Sequence, residues 1–350
     1  MRRTTSVIQP GSLLAAGLCG AALALFVLDP AWAAPKKAAL PEASEVLDDA
    51  LRGPESPFDG TVSVRAGKGK TKKMAVRCAR VPAGGNPSCR REFVDAKGAS
   101  LLVFATDGSK EWVFDKKLNK VWEGPASGYP EDLKKAVRTH YRVSISTGAR
   151  VAGRETWKLE LKPRSGVGVG RRLWVDRDRR LVLKDESILP DGTVAARSRF
   201  SRVSFREDDD PAALRLEPAP GAVLVGRLTP EPAVLSKVRE ETGFEPRFPS
   251  WLPTGYVLEG VELIPHKDKK ILHCRYSDGA HALSLFQFPP RSKLDLGTKD
   301  RREVRLASGT GFASWTEDGG VLGWSAGGTK LVLVALLGPE VLEHIAESVR

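Results

Sequence analysis

The sequence has little to offer a metal ion or a catalytic nucleophile. Of its 350 residues, four are cysteine and five are histidine. His266, His273, Cys274 and His281 fall close together, but in neither a zinc-ligand spacing nor an H-E-x-x-H helix. No metal and no cofactor is expected. Gly69-Lys70-Thr71 resembles the end of a phosphate-binding loop, yet the required first glycine is Val64. Gly166, Gly168 and Gly170 are spaced like part of a dinucleotide fingerprint, but a strand follows them, so no helix N-terminus awaits a pyrophosphate. Gly323-Trp324-Ser325-Ala326-Gly327 matches G-x-S-x-G, which needs a helix after the serine and an acid and histidine downstream. A strand-like run from Leu331 follows instead, and the segment reads as a β-hairpin. No pair of carboxylates stands in an apolar setting that would split their pKa values. Nothing argues for catalysis; a hydrolase built on Ser325 is the weakest of three alternatives. Long apolar runs are also absent after residue 33, the strongest being Leu331 to Leu337, which is strand length.

The first thirty-odd residues differ from the rest. Arg2 and Arg3 form a short positive region, an uncharged apolar run extends from Leu13 to Leu28, and Asp29-Pro30 ends it. Ala31-Trp32-Ala33 then offers small residues at the two positions a signal peptidase reads. This is the order of a Sec-type export signal, with cleavage expected near Ala33; retention as an N-terminal anchor is the alternative. Thr5 breaks a twin-arginine motif, and Leu18 before Cys19 argues against a lipoprotein site. A periplasmic location is the expectation.

Removing residues 1–33 leaves roughly 320 residues, a length that suggests two domains. The formal net charge is +12, and losing Arg2, Arg3 and Asp29 lowers it by one. Such a surplus either keeps the surface soluble or favours acidic partners: an anionic membrane, lipid head groups or an acidic protein segment. Export argues against nucleic acid. Cys78 and Cys89 flank a turn-like Pro82–Pro87 segment, and in an oxidising compartment they are expected to form a disulfide. Cys274 reads as a buried small hydrophobe.

Along the chain, 34–41 reads as a flexible leader and 42–52 as a short helix with Val46, Leu47, Ala50 and Leu51 on one face. Strands follow, marked by clear alternation. Phe58 to Val64, Leu101 to Phe104, Glu111 to Asp115 and Trp157 to Lys162 are the plainest, with Asp107-Gly108 as a hairpin signal. Turn residues recur at short intervals, which predicts a large antiparallel sheet rather than βαβ units. Helices at 42–52 and 130–140 are the available cover for its apolar face. Residues 206–232, punctuated by Pro211, Pro218, Pro220, Pro230 and Pro232, read as an interdomain connection. Further strands and a closing helix from Pro339 to Val349 make a second domain over 233–350. The fold class is α+β, mainly antiparallel β.

Several segments carry a family resemblance in the right order. They are Trp157 to Pro163, Arg172-Leu173-Trp174-Val175-Asp176, Leu181 to Lys184, Asp191-Gly192 and Phe200 to Phe205. In the second half they are Pro249-Ser250-Trp251-Leu252-Pro253-Thr254-Gly255-Tyr256, then Tyr276-Ser277-Asp278-Gly279, and the end from Gly338 to Val349. Together these resemble the MucB/RseB family, periplasmic regulators of an envelope-stress sigma factor. The Cys78–Cys89 loop and the glycine-rich 165–170 loop are departures that the resemblance does not explain.

The resemblance implies a LolA-like half-barrel over 42–205 with helical cover, plus a smaller C-terminal α+β domain. It implies binding to the periplasmic part of a membrane-anchored anti-sigma factor, with lipid, lipoprotein or lipopolysaccharide as the signal. Trp251, Tyr256, Tyr276 and Asp278, in the second-domain motifs, are the partner-binding candidates. From the residues themselves, a curved sheet with one apolar face makes a concave site for acyl chains, and Trp112, Phe114, Trp122 and Trp157 either line it or pack in the core. Lys116, Lys117, Arg171 and Arg172 stand as rim cations or as a solvated hairpin edge. A lipid or lipoprotein carrier built on the same half-barrel is the alternative function, which the second domain disfavours.

Overall fold

The computed structural model describes residues 40–350 apart from 68, 81–84, 86–87, 127–130, 209, 219, 228–230, 267–268, 291, 293–300 and 317–318. The expected export signal, most of the leader and most of the Pro82–Pro87 turn lie outside the described residues. Leu40–Arg350 forms one compact unit.

Two sheets dominate. The larger is built from β1 (Phe58–Ala66), β2 (Lys72–Cys78), β3 (Ser88–Val94), β4 (Ser100–Asp107), β5 (Lys110–Asp115) and β6 (Lys120–Pro125), then β7 (Tyr141–Val151), β8 (Arg154–Pro163), β9 (Gly170–Asp176), β10 (Val182–Ile188), β11 (Val194–Phe205) and β12 (Val223–Arg227). Its order is β12-β6-β5-β4-β3-β2-β1-β11-β10-β9-β8-β7. The smaller comprises β13 (Glu231–Pro232), β14 (Val257–His266), β15 (Lys269–Ser277), β16 (Ala282–Phe288), β17 (Arg302–Leu306), β18 (Gly309–Thr316), β19 (Gly319–Ala326) and β20 (Thr329–Ala335), in the order β13-β14-β15-β16-β20-β19-β18-β17. Among the described residues every ladder is antiparallel except β12 with β6. The chain is thus α+β and mainly antiparallel, with a larger and a smaller domain.

Local chemistry explains the turns and ends. At the β4–β5 hairpin the Asp107 carboxylate accepts the N–H groups of Ser109 and Lys110, both at 2.9 Å, while Gly108 takes a φ of 87° that L side chains avoid. Helix α1 (Ala43–Arg52) buries Val46 and Leu47 completely. Helix α4 (Pro339–Ser348) starts with proline in its first turn, where the missing N–H costs nothing, and buries Leu342, Ile345 and Ala346. Helices α2 (Glu131–His140) and α3 (Val238–Thr242) are the other α-helices among the described residues.

Both expected cover helices serve one face of the large sheet. Val46 and Leu47 of α1 and Val137 of α2 share a core with Tyr141, Leu159, Leu161, Leu173 and Val175. The opposite face was not expected to need cover, yet over β4–β6 it has one. Leu216 and Ala222 pack there on Val103, Ala105, Phe114 and Val121. The proline-rich segment expected to be a connection therefore also carries a short 3-10 turn, Pro211–Leu214, and the parallel edge strand β12.

Candidate functional site

Registers decide which side chains share a face, because paired residues project the same way. The row Val76–Arg91–Phe104–Val113–Trp122 runs across β2 to β6, and Met74–Phe93–Leu102 lies beside it. Tracing the ladders through β1 and β11 to β8 shows that this is the face α1 and α2 cover at the far end. Over β3–β6 the aromatic and aliphatic side chains stay half-exposed: Phe93, Leu102, Phe104, Val113 and Trp122. Phe93 and Phe104 meet edge to face with centroids 6.0 Å apart. This strip is an apolar surface within an otherwise charged domain, the kind of surface that takes an acyl chain or an apolar segment.

The four lining candidates are not brought together. Trp122 lies on the strip. Phe114 is buried on the opposite face against Leu216, and Trp112 shares that face, donating its indole N–H to Glu123 at 2.8 Å. Trp157 is on the strip's face but nine strands from Trp122, half-buried in the helix-covered core with the Arg177 guanidinium 4.0 Å from its ring centroid. Sequence alternation paired Trp112 with Phe114 correctly; it carries no information on which face is covered. Of the rim cations, Arg171 makes a bidentate pair with Asp185 at 2.6 and 3.0 Å, and Arg172 pairs with Glu160.

The second set of candidates divides too. Trp251 is exposed and edge-on to His344, with centroids 4.2 Å apart. Tyr256 and Tyr276 are core residues of the small domain, and Asp278 is buried. Asp278 takes part in a contact between the domains. The Tyr141 hydroxyl reaches its carboxylate at 2.5 Å, the Val169 carbonyl at 3.2 Å and His281 Nδ1 at 3.3 Å. The other Asp278 oxygen accepts the N–H groups of Ala280 and His281. Burial pulls His281 down to about 4, against the opposing pull of the Asp278 charge. Burial, reinforced by that same charge, pushes the Tyr141 phenol well above its usual range. A phenol that keeps its proton is a fixed donor to a carboxylate.

One loop that the resemblance did not explain, and one of its motifs, belong to this contact. The glycine-rich 165–170 loop delivers Val169 into the small domain's core. Gly255 adopts a φ of 101°, and a Cβ there would lie 2.8 Å from the His140 ring at the end of α2. The glycine of the Pro249–Tyr256 motif is thus required both by its backbone and by the neighbouring domain.

Ser325 lies in the β19–β20 hairpin and accepts a hydrogen bond from Lys330 at 2.7 Å. His273 and Cys274 point to opposite faces of β15, as neighbours on a strand must. Burial pushes the Cys274 thiol up to about 12, so it stays protonated. Sequence reading missed a cluster in which His273 lies 3.3 Å from Glu262 and 3.0 Å from Ser284. Phe286 stacks on the imidazole, and the backbone beside Ser284 is committed to ladders with β15 and β20, which leaves no amide pair to hold an oxyanion. Cys78 and Cys89 face each other across β2 and β3, with Cα atoms 4.1 Å apart, and form a disulfide. Among the described residues no cluster suits a metal ion, and no helix is long and apolar enough to cross a membrane.

Comparison with known proteins adds to this geometry. Residues 105–220 match the model of the MucB/RseB N-terminal domain. Against the curated proteins the sequence finds no match. Among solved structures, the Pseudomonas aeruginosa MucA/MucB complex is similar at a TM-score of 0.61 and 19% identity, covering 88% of this chain and 98% of that one. MucB alone gives 0.55 and 20%, over 88% and 97%. MucB in complex with MucA(peri) gives 0.57 and 20%, over 88% and 98%. At these identities the likeness is one of fold, and it spans both domains.

Proposed function

We propose, from the match of residues 105–220 to the model of the MucB/RseB N-terminal domain, that the chain is a periplasmic negative regulator of an envelope-stress sigma factor. It binds the periplasmic part of a membrane-anchored anti-sigma factor and responds to lipid or lipoprotein. The observation that carries this reading is the two-domain likeness to MucB structures, including those in complex with MucA. A carrier needs the large domain alone, whereas here the small domain is locked to it through Tyr141 and Asp278. The half-exposed strip around Phe104 and Trp122 supports a lipid-responsive surface. Trp251, the exposed member of its motif, is the residue most available to a partner.

The test is affinity capture from a cell-envelope extract. Recovery of a single-span protein that also binds a sigma factor supports the regulator, and Trp251→Ala is expected to lower that recovery several-fold with the fold intact. Capture of lipoproteins without such a protein would instead favour the carrier.

A further inference from the structure

The face of the large sheet opposite α1 and α2 is unusually basic. A row of directly paired residues crosses six strands there: Lys73, Ser63, Arg199, Lys184, Trp174 and Lys158. It contains no acid. Arg199 and Lys184 are cross-strand partners, and like charges placed opposite each other weaken a sheet. The Trp174 ring lies under both lysines, with Nζ of Lys184 3.7 Å and Nζ of Lys158 5.9 Å from its centroid.

Asp59 and Glu92 pair with Arg77 and Arg90 at one side of this face, but the acids beside the row are fewer than its cations. Glu186 is shared by Lys184 and Arg197, and Glu160 by Lys158, Lys162 and Arg172, so two carboxylates serve five cations. Lys73, Arg142, Arg199 and Arg202 project from the same face and are exposed, without an ion pair among the described residues. Two recesses interrupt this surface. One, of about 330 Å³, has Glu160, Lys162 and Arg172 of this face in its lining; the other, of about 510 Å³, has Arg77 and Arg90, paired with Asp59 and Glu92, together with Arg202. On the helix-covered face Arg171 is matched by Asp185.

We infer that this face docks the protein on an anionic bilayer, with the unpaired cations over lipid phosphates. A broad field of cations extending from β7 to β2, beside the part of this face that Leu216 and Ala222 cover, fits a plane of head groups better than a single peptide. The surface is distinct from the apolar strip and does not depend on the regulator reading.

The test is co-sedimentation of residues 40–350, which hold every described element, with lipid vesicles. Binding to phosphatidylethanolamine vesicles containing phosphatidylglycerol is expected, with little binding to phosphatidylcholine, and with loss as salt rises toward molar levels. Each basic residue near such a surface contributes about 1 kcal/mol, roughly fivefold in partitioning. Arg199→Ser with Arg202→Ser should therefore weaken binding at least tenfold. Lys237→Ser with Arg305→Ser, the same charge change on the small domain, should leave it within about twofold. Equal binding to both vesicle types, equal loss in both double variants, or binding to an acidic peptide but to neither vesicle would overturn the inference.

Discussion

Tyr141, on the first strand after α2, donates its phenolic hydrogen to the carboxylate of Asp278 in the small domain, 2.5 Å away and buried from water. The two residues are 137 positions apart, so this bond is a clasp between domains. Asp278 needs it, because a buried carboxylate is tolerable only when its oxygens are hydrogen-bonded.

Replacing Tyr141 with phenylalanine keeps the ring and removes the donor. Unfolding free energy is expected to fall by about 1–3 kcal/mol, the cost of leaving a buried acceptor unsatisfied. Urea denaturation measures this, and limited proteolysis should show faster cleavage between the domains. An unchanged denaturation midpoint would mean that the clasp contributes nothing.

Acid should loosen the same contact. Half-buried His281, facing Tyr141 and Asp278 with Arg171 and Asp185 nearby, is held neutral down to about pH 4. In the unfolded chain it titrates near its ordinary value of about 6.5. Between those values the unfolded state binds more protons, so stability is complete above about pH 6.5 and is lost as pH falls toward 4. Denaturation curves across this window should converge for the His281→Gln variant, whose difference from the parent chain is expected to shrink on acidification. A constant difference at all pH values would rule the histidine out as the cause.

Trp122 and Phe114 should separate surface from core. Phe114→Ala opens a cavity under Leu216 and is expected to cost about 3–5 kcal/mol. Trp122→Ala removes a half-exposed ring and should cost far less, while lowering uptake of a fluorescent fatty-acid probe several-fold. Thermal melts and probe titrations report the two effects independently. Equal probe binding by parent and Trp122→Ala would remove the strip as a lipid surface.

Much of this was legible in the residues. Alternation gave most strands of both sheets, the helices α1, α2 and α4, and the shared face of Trp112 and Phe114. It did not mark β12, because a proline-rich segment has no period to read, and Leu216 and Ala222 join the core only through what lies beneath them. Tyr256 and Tyr276 looked available because motif residues carry no label of depth; the structure packs both inside the small domain.

The sequence by itself determined the local periods, the turn chemistry at Asp107-Gly108 and the ordered motifs of a family, because each depends on residues near one another in the chain. The tertiary structure alone decided which face each period turns inward and which distant groups meet. The strand period is two, so alternation divides a strand's side chains into two sets but cannot say which set the helices cover. The clasp of Tyr141 to Asp278, the delivery of Val169 to the second core and the cationic row through Arg199 and Lys184 arise only when the ladders fix their register.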